Sequence, residues 1–287
     1  GYYGYPNFNA PAEIGETFVK LGFDIVNLAN NHMLDYGEKG LSGTVSFFRT
    51  LPLTLIGGYT KADYDNIRLY ETQGVKVAFL SYTTLINYDH INSLGSGSDY
   101  IVPYAVEADI RRQVALAKEK ADFVFVSMHW GDEDATVPNS QQKKLAKLCA
   151  DLGVDLVIGM HSHTLQPLEW VEGADGGKTL VAYSLGNLIS TMHPSRNMVG
   201  GLLSLDILLT AEGDKSIENI TLIPTVCHYS LKRDGLALYM LSDYTDELAK
   251  KHGTTLRAES NKTFSLSIAK KFVTDVISKE FLPDFLK

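Results

Sequence analysis

Apolar residues at helical spacing alternate with short apolar runs along the first two thirds of the chain. Ile14 and Phe18 repeat on one face of a helix that Gly22 is placed to end. The next run, residues 23–29, is short and apolar, which is typical of a buried strand. A polar loop over residues 30–37 follows it. The pattern therefore predicts a helix, a strand and a loop, in that order.

The same alternation continues further along the chain. It predicts helices over residues 41–51, 107–117 and 140–152, and strands over residues 53–58, 75–82, 123–128, 155–159 and 179–185. Asn139 or Ser140 is placed to cap the last of these helices. A loop rich in Gly, Ser, Asn and Asp occupies residues 87–100. Because strands that alternate with helices form sheets covered by helices, we predict an α/β fold.

A different pattern begins near residue 200. Residues 202–209 and 220–226 resemble a pair of adjacent strands, and helical spacing returns towards the C-terminus. We therefore expect one large domain over residues 1–235. A helical extension over residues 236–287 is expected to pack on this domain.

Composition limits the classes of function. The chain has 287 residues, 45% of them apolar, which is enough to bury a full core. Its formal net charge of −8 argues against nucleic acid as a partner, since binding a phosphate backbone needs a basic surface. No apolar stretch approaches the roughly 20 residues that span a bilayer. The first residues read like the middle of a protein, so the absence of a leader or anchor before them decides nothing about secretion or anchoring.

Histidines carry the strongest chemical signal. Four of the eight stand at the ends of predicted strands, and they are His32, His129, His161 and His163. Loops at the carboxyl ends of strands are where α/β proteins bind ligands, so we expect these imidazoles to gather on one rim. Imidazole suits Mn, Zn, Fe and similar divalent ions, and the Asn31 amide can add an oxygen ligand.

Other interpretations of the histidines remain open. A single histidine after a strand is more often a surface or hydrogen-bonding residue than a metal ligand. His90, His228 and His252 lie in loop or tail contexts and are expected to be structural or solvated. His193 follows Gly186-Asn187 closely, so it is either adjacent to the site or structural.

Several motifs together resemble one known family. They are Tyr5-Pro-Asn-Phe-Asn-Ala-Pro, Gly22-Phe-Asp-Ile-Val-Asn-Leu-Ala-Asn-Asn-His-Met-Leu-Asp-Tyr-Gly, His129-Trp-Gly-Asp-Glu, Gly159-Met-His-Ser-His-Thr-Leu-Gln-Pro and Tyr183-Ser-Leu-Gly-Asn-Leu. In this order, over roughly residues 5–210, they resemble the CapA-type capsule and poly-γ-glutamate synthesis family. That family is similar to the calcineurin-like metallophosphatases, and the resemblance implies a sandwich of two mixed sheets flanked by helices.

The resemblance also implies roles for individual residues. The implied metal ligands are Asn31, His129, His161 and His163, around one or two divalent ions. The implied catalytic residues are His32, which would act on the substrate, and Glu133. Alternatively, Glu133 hydrogen-bonds to a metal ligand without contacting the metal, or it is a solvated carboxylate of the loop. The implied substrate-binding residues are Asn30, Trp130 and Asn187, although for Trp130 packing in the core is the stronger alternative.

One departure from the family pattern concerns acidic ligands. The family begins with a strand that ends in Gly-Asp and continues with an Asn-Leu-Glu segment, and both supply acidic metal ligands. This chain begins after both, so we expect the N-terminal strand of the family fold to be missing from it. Two cations need a bridging ligand when they lie close together. Asp24 stands at the wrong end of its strand to replace one, whereas Asp35 could do so if its loop folds back.

The expected function follows from the resemblance. It is metal-dependent hydrolysis of an anionic cell-surface polymer such as poly-γ-glutamate, outside the cytoplasm, by a secreted or membrane-anchored protein. A membrane-bound synthesis complex is a further expected partner. The alternative is a non-catalytic module that binds or exports the polymer through a degenerate metal site. A soluble phosphodiesterase unrelated to capsule is a third interpretation.

Overall fold

The protein belongs to the α/β class, as predicted. A computed structural model describes residues 1–87, 90, 92–256 and 263–287. Packing divides the chain into two compact units. The first contains residues 1–130 and 151–156, and the second contains residues 131–150 and 157–287.

The first unit begins with short elements and ends with a long buried strand. Its helices are α1 (Glu13–Lys20), α2 (Gly37–Phe48) and α3 (Glu107–Lys118). Its strands are β1 (Ile25–Asn27), β2 (Thr54–Ile56), β3 (Tyr59–Thr60), β4 (Arg68–Thr72), β5 (Val75–Thr83), β6 (Tyr100–Ile101) and β7 (Phe123–His129). The predicted end of α1 is confirmed, because Gly22 has φ of +80° just beyond it.

Both parallel and antiparallel pairs occur in the first unit. β1 pairs with β2 in parallel, β4 pairs with β5 antiparallel, and β5 pairs with β7 in parallel. Every residue of β7 is buried, as expected of a parallel strand covered on both faces. The register sets Thr83 opposite His129, so the carboxyl ends of β5 and β7 coincide. Asp155 joins the start of β7, since its carboxylate accepts a 2.8 Å hydrogen bond from Val124 N.

A cluster of aliphatic and aromatic side chains forms a core beside β1 and β2. Leu34 and Val45 are fully buried in it, and Leu41, Phe48 and Leu55 pack around them. Leu34 belongs to the loop that follows β1, so the apolar contact holds that loop against α2. Burying a side chain of this size contributes roughly 1.5–3 kcal/mol. The loop that carries Asn30–Asp35 is therefore anchored from within.

The second unit contains most of α4 (Ser140–Asp151) and β8 (Leu156–Met160), followed by β9 (Leu168–Glu172) and β10 (Lys178–Ala182). β10 lies between β8 and β9 and pairs antiparallel with β9. A separate sheet contains β11 (Val199–Leu209), β12 (Lys215–His228) and β13 (Ala237–Met240). The predicted pair of strands after residue 200 is confirmed as the antiparallel β11 and β12, with a bulge between Ser204 and Asp206.

Helix α4 begins with a reciprocal cap. Asn139 Oδ1 accepts a hydrogen bond from Gln142 N at 2.9 Å, and Gln142 Oε1 accepts one from Asn139 N at 3.0 Å. This capping box satisfies two backbone donors at the helix start. Of the two caps considered from the sequence, Asn139 is therefore the one used. Cys149 is fully buried in the helix, and burial raises the pKa of its thiol to about 12.

The C-terminal segment is only partly the helical extension that was predicted. It opens with a strand instead, because β13 pairs with β12. Three helices follow, α5 (Asp246–Lys251), α6 (Gly253–Leu256) and α7 (Leu266–Thr274), with short 3-10 turns over Lys279–Phe281 and Asp284–Leu286. A domain boundary at residue 235 stays a prediction. In the described part of the chain, no helix combines the length and the hydropathy that crossing a membrane requires.

Candidate functional site

A tight turn after β1 presents the first predicted site residues. Asn30 Oδ1 accepts a hydrogen bond from His32 N at 2.8 Å, and Asn30 Nδ2 donates to Leu28 O at 3.1 Å. Both ends of this amide are therefore engaged by the backbone of its own loop. Asn30 therefore shapes the turn that carries Asn31 and His32, and its predicted contact with substrate stays a prediction.

The imidazole of His32 is held by a buried carboxylate. Asp35 Oδ2 lies 2.8 Å from His32 Nδ1, and the Asp35 side chain is only 2% exposed, whereas that of His32 is 29% exposed. Asp35 Oδ2 also accepts a 2.8 Å hydrogen bond from Phe8 N. The Phe8 ring packs edge-on against the imidazole, with centroids 4.6 Å apart. The ring of His32 is thus fixed in place while part of it stays accessible.

Asn87 is a second neighbour of this ring. Its Nδ2 lies 3.0 Å from His32 Nδ1. One ring nitrogen cannot both donate to Asp35 and accept from Asn87, and the charge-assisted bond to the carboxylate is the stronger. We therefore place the proton on Nδ1 and leave Nε2 as the atom directed away from Asp35. Asn87 also accepts a 2.9 Å hydrogen bond from Asn31 Nδ2, so it ties Asn31 and His32 together.

Asn31 and His129 meet within the first unit. Asn31 Oδ1 lies 3.1 Å from His129 Nε2, and both residues are buried. Two ligands that each lie about 2.1 Å from one ion are separated by roughly 3.0 Å when they subtend a right angle. The separation therefore fits an amide oxygen and an imidazole nitrogen that share a divalent cation. This donor set suits Mn, Zn or Fe.

His161 and His163 lie on a strained turn after β8 in the second unit. Their φ angles are +101° and +60°, in the left-handed region that side chains other than glycine rarely adopt. Their ring centroids are 6.1 Å apart, and the rings are tilted by 50°. Ser162 Oγ donates a 3.0 Å hydrogen bond to Thr164 O across the turn. The turn directs two imidazoles to neighbouring positions, as the spacing predicted. Strain of this kind concentrates at functional sites.

Asn187 holds His163 in place, and its predicted contact with substrate stays a prediction. Its Oδ1 lies 2.9 Å from His163 Nδ1, and its Nδ2 donates to Asn197 O at 3.1 Å. An amide oxygen can only accept, so the proton is on His163 Nδ1 and the lone pair is on Nε2. Asn197, which is fully buried, donates a 2.6 Å hydrogen bond to Asp134 Oδ1. A partner of this kind sets the tautomer of a metal-binding histidine.

The remaining predicted site residues lie in contrasting environments. Trp130 is fully buried. This favours the packing alternative, and contact of Trp130 with substrate stays a prediction. Glu133 is exposed, which favours the interpretation as a solvated loop carboxylate. Asp24 faces Tyr70, whose pKa its carboxylate raises, at the start of β1 and away from the His32 turn.

Sequence reasoning missed three partners of the site. Asn87 and Asn197 had no motif of their own to identify them, and Asp35 was considered only as an acidic ligand and not as the partner of His32. His90 was expected to be structural or solvated, and the structural role fits its contacts, because its Nε2 lies 3.9 Å from Asp35 Oδ1 and 3.3 Å from Asn7 Oδ1. The polar loop that begins at residue 87 was visible in the sequence, but nothing linked it to His32.

His228 and His252 form a separate group in the second unit. His252 is fully buried, with Nε2 donating to Cys227 O at 3.0 Å and Nδ1 accepting from Thr254 N at 3.0 Å. Burial lowers its pKa to about 4. The structural role expected for His252 fits these contacts. His193 is also tied into this region, because its carbonyl accepts a 3.4 Å hydrogen bond from Thr254 Oγ1.

The possible metal ligands come as pairs. Within residues 1–87, 90, 92–256 and 263–287, no group of three or more His, Cys, Asp and Glu side chains is arranged to hold an ion. Asn31 with His129, and His161 with His163, each offer two donors of a type that divalent metals accept. The residues present therefore fit a metal in part. The prediction that all four ligands surround one centre stays a prediction.

Comparison with known proteins gives the family. The family described as "Bacterial capsule synthesis protein PGA_cap" matches residues 1–192. The chain is 33% identical over 174 residues to the PGA biosynthesis protein CapA of Bacillus subtilis, covering 59% of this chain and 43% of that protein. It is 32% identical over 194 residues to the capsule biosynthesis protein CapA of Bacillus anthracis, covering 64% and 44%.

The chain thus spans less than half the length of these two curated relatives. Among solved structures, the NAD nucleotidase of Haemophilus influenzae aligns with 92% of this chain and 52% of its own, at 16% identity and a TM-score of 0.47. That score is too low to support an argument about fold or activity. The family match covers about two thirds of the chain. On that match, the chain belongs to the PGA_cap family of bacterial capsule synthesis proteins.

Proposed function

We propose that the protein serves the synthesis of bacterial capsule or poly-γ-glutamate as a divalent-metal-dependent hydrolase that acts on an anionic polymer. Membership of the PGA_cap family and the names of the two Bacillus relatives support the pathway. The observation that carries the catalytic part is the buried Asp35 carboxylate against Nδ1 of the partly exposed His32. A histidine held in this way is suited to proton transfer.

His32 is the general acid or electrostatic stabiliser in this proposal. Asp35 keeps the proton on Nδ1 and stabilises the positive charge that arises when Nε2 is also protonated. Nε2 then donates its proton to the leaving group, or stabilises negative charge that develops on the substrate. The edge of Phe8 and the amide of Asn87 restrict rotation of the ring. Glu133 has no place in this step.

Asn31 and His129 are the proposed metal ligands of the first unit, and His161 and His163 those of the second. A bound divalent ion would supply Lewis acidity and make a water nucleophilic near neutral pH. Asn187 keeps Nε2 of His163 unprotonated, which a ligand atom must be. The donor types are compatible with Mn, Zn or Fe.

The proposed substrate is an anionic polymer of the cell surface, with poly-γ-glutamate as the first choice because two relatives carry the names of capsule and PGA biosynthesis proteins. The proposed location is extracytoplasmic, and a membrane-bound synthesis complex is the proposed partner. The scissile bond is an amide in poly-γ-glutamate and a phosphoester in a phosphodiester substrate. The two substrates must therefore be compared directly.

The first test measures hydrolysis with added Mn²⁺. Poly-γ-glutamate chain length and release of an aryl alcohol from a generic phosphodiester are followed for the wild type, His32→Ala and the double variant His161→Ala/His163→Ala. We expect His32→Ala to lose activity, typically by 10²–10⁴-fold, with its metal content unchanged. The double variant should lose both activity and metal, as shown by elemental analysis.

His228→Gln is the matched control, because this histidine lies in the separate group around His252. It should retain both activity and metal. Equal activity in His32→Ala and the wild type would remove His32 from the mechanism. A wild-type protein that binds poly-γ-glutamate and metal but hydrolyses neither substrate would instead identify a non-catalytic polymer-binding module.

A further inference from the structure

A small cavity of the second unit lies beside the loop that carries His163. Its volume is about 260 Å³, below the roughly 300–1,000 Å³ typical of pockets for whole small molecules. We call it the Arg196 pocket, and its lining includes Thr136, Thr164, Arg196, Val199, Lys271 and Phe272. The size fits one side chain of a longer ligand. Helix α7 provides one wall, through Lys271 and Phe272.

Two of the segments that line the pocket also position the His163 side chain. Thr164 directly follows His163 in the chain, and Arg196 directly precedes Asn197. Asn197 O accepts the hydrogen bond from Asn187, whose own oxygen holds the His163 ring. Two of the pocket's lining residues are therefore chain neighbours of residues in the His163 network. A ligand in the pocket would lie close to that network.

Arg196 differs from the other stacked arginines. Arg68 and Arg112 each lie over a tyrosine ring, and each also binds a carboxylate, Asp63 at 2.9 Å and Asp65 at 3.0 Å. Arg196 lies over the Phe272 ring, 5.7 Å from its centroid. Within the described ranges, however, its guanidinium donates no hydrogen bond to another residue, unlike every other arginine there.

This difference leaves a recognition group at the pocket. Stacking uses the face of a guanidinium and leaves its five N–H donors unengaged. Those donors form a planar fork that matches a carboxylate in a bidentate arrangement. The Phe272 ring restricts the orientation of the fork, which lowers the entropy lost when a ligand binds.

The charges around the pocket favour an anion. Lys271 Nζ lies 2.7 Å from Asp275 Oδ1, so these two lining residues neutralise each other. Arg196 remains as the uncompensated charge of the lining, in a chain whose net charge is −8. An unpaired cation of this kind would attract the carboxylate of an acidic polymer in spite of the negative protein around it.

We propose that the Arg196 pocket is a subsite for one carboxylate of the anionic polymer, with Arg196 as its anchor and Phe272 as the support of the guanidinium. This inference rests on the proposed function, because it adds a specificity subsite beside the His163 loop. The family match ends at residue 192, so Arg196 and α7 lie outside the part of the chain to which the family is assigned.

The test measures binding of a fluorescein-labelled γ-linked glutamate oligomer by anisotropy, with a γ-linked glutamine oligomer as the neutral counterpart. We expect Arg196→Gln to bind the glutamate oligomer about tenfold more weakly than the wild type, as loss of one charge-assisted pair implies. Arg196→Lys keeps the charge without the fork and should lose part of the affinity. The matched control is Arg111→Gln, which removes the same charge from a surface pair with Glu107.

The outcomes separate the two proposals. Wild-type binding that is equally weak for both oligomers would overturn the pocket and also the polymer assigned under the proposed function. Strong wild-type binding of the glutamate oligomer, unchanged in Arg196→Gln, would overturn the pocket alone. A tenfold loss in Arg196→Gln with Arg111→Gln unchanged would support it.

Discussion

Two oxygens of different charge hold two imidazoles in the same manner. The Asp35 carboxylate binds Nδ1 of His32, and the Asn187 amide oxygen binds Nδ1 of His163. A carboxylate stabilises the protonated ring, which suits a residue that transfers protons. A neutral amide fixes the tautomer without favouring the cation, which suits a metal ligand. The charge of the partner therefore separates the two proposed roles.

Exchanging these partners should separate turnover from metal binding. We expect Asp35→Asn to lower kcat by at least about tenfold while metal content stays constant, because only the imidazolium loses its support. We expect Asn187→Ala to weaken metal affinity by about 10–100-fold, because His163 loses the group that orients it. Competition with a chelator measures the affinity, and steady-state hydrolysis measures kcat.

Asn187→Gln serves as the control, since it keeps an amide that can accept from His163 Nδ1 and should lose less metal affinity than Asn187→Ala. Metal loss in Asp35→Asn, or full metal affinity in Asn187→Ala, would contradict the assignment of roles.

Sequence motifs identified the imidazoles more readily than the residues that orient them. His32, His129, His161 and His163 follow apolar runs, so the pattern located them at strand ends. Asn87 contacts the site from a loop and Asn197 from the short 3-10 helix Ser195–Met198, and neither segment carries a periodic signal. Their roles depend on backbone turns that only the structure defines. The sequence could not decide between packing and substrate contact for Trp130 either, because the neighbours of this side chain come from the tertiary fold.

Among the elements, the start of α4 shows a local rule that sequence can capture. The Asn139–Gln142 capping box satisfies two backbone groups. Gln142 Nε2 also donates a 2.7 Å hydrogen bond to Gln166 Oε1. The box thus connects the start of the helix to the chain just beyond the His161–His163 turn. The spacing of an Asn before an amphipathic run was sufficient to expect a cap, although not to choose between two adjacent residues.

Loss of this cap should have a measurable cost. We expect Asn139→Ala to lower the free energy of unfolding by about 1 kcal/mol, because Gln142 N loses its acceptor. Urea denaturation followed by circular dichroism gives the value. Asn139→Ser, which keeps an acceptor for Gln142 N without setting a second carboxylate beside Asp132, should stay within about 0.5 kcal/mol of the wild type. Equal stability of the alanine and wild-type proteins would show that water replaces the cap.

Two of the strands that the sequence did not predict, β4 and β13, are short. β4 has the sequence Arg-Leu-Tyr-Glu-Thr, which contains no apolar run, and none of its residues is fully buried. β13 is a four-residue strand that pairs with β12 alone, and its sequence, Ala-Leu-Tyr-Met, also suits a helix. Both are held in place mainly by a longer neighbour. A pattern along one segment cannot reveal pairing of this kind.

In the protein as a whole, stability is coupled to pH through a buried histidine. His252 packs edge-on against His228 and Tyr229, with ring centroids 5.0 and 4.8 Å away. Its two nitrogens are satisfied by backbone groups of Cys227 and Thr254, which fixes the neutral form. Burial, with a smaller contribution from the nearby His228, lowers the pKa of His252 to about 4, although the hydrogen bond to the Cys227 carbonyl acts in the opposite direction.

The neutral form of His252 should contribute stability that acid removes. Its pKa is about 6.5 in an unfolded chain, so the contribution is complete above about pH 6.5 and is lost as pH falls towards about 4. The free energy of unfolding falls by roughly 3 kcal/mol when this contribution is lost completely. Urea denaturation at pH 7.5 and pH 4.5 should show a smaller difference for His252→Gln than for the wild type.

His90→Gln is the control for this comparison, because His90 lies in the other unit. It should show the same pH dependence as the wild type. An undiminished pH dependence in His252→Gln would place the origin of the acid sensitivity elsewhere.

The interleaved path of the chain has a practical consequence for dissecting this protein. Residues 151–156 belong to the first unit although they follow residues 131–150 of the second. Asp155 binds Val124 in both directions, through its carboxylate and through its own N–H at 3.0 Å. A gene fragment stopped after codon 130 would therefore leave Val124, the second residue of β7, without both of these hydrogen bonds. Activity missing from such a half would report a damaged fold, and minimal versions of the protein are better sought by circular permutation.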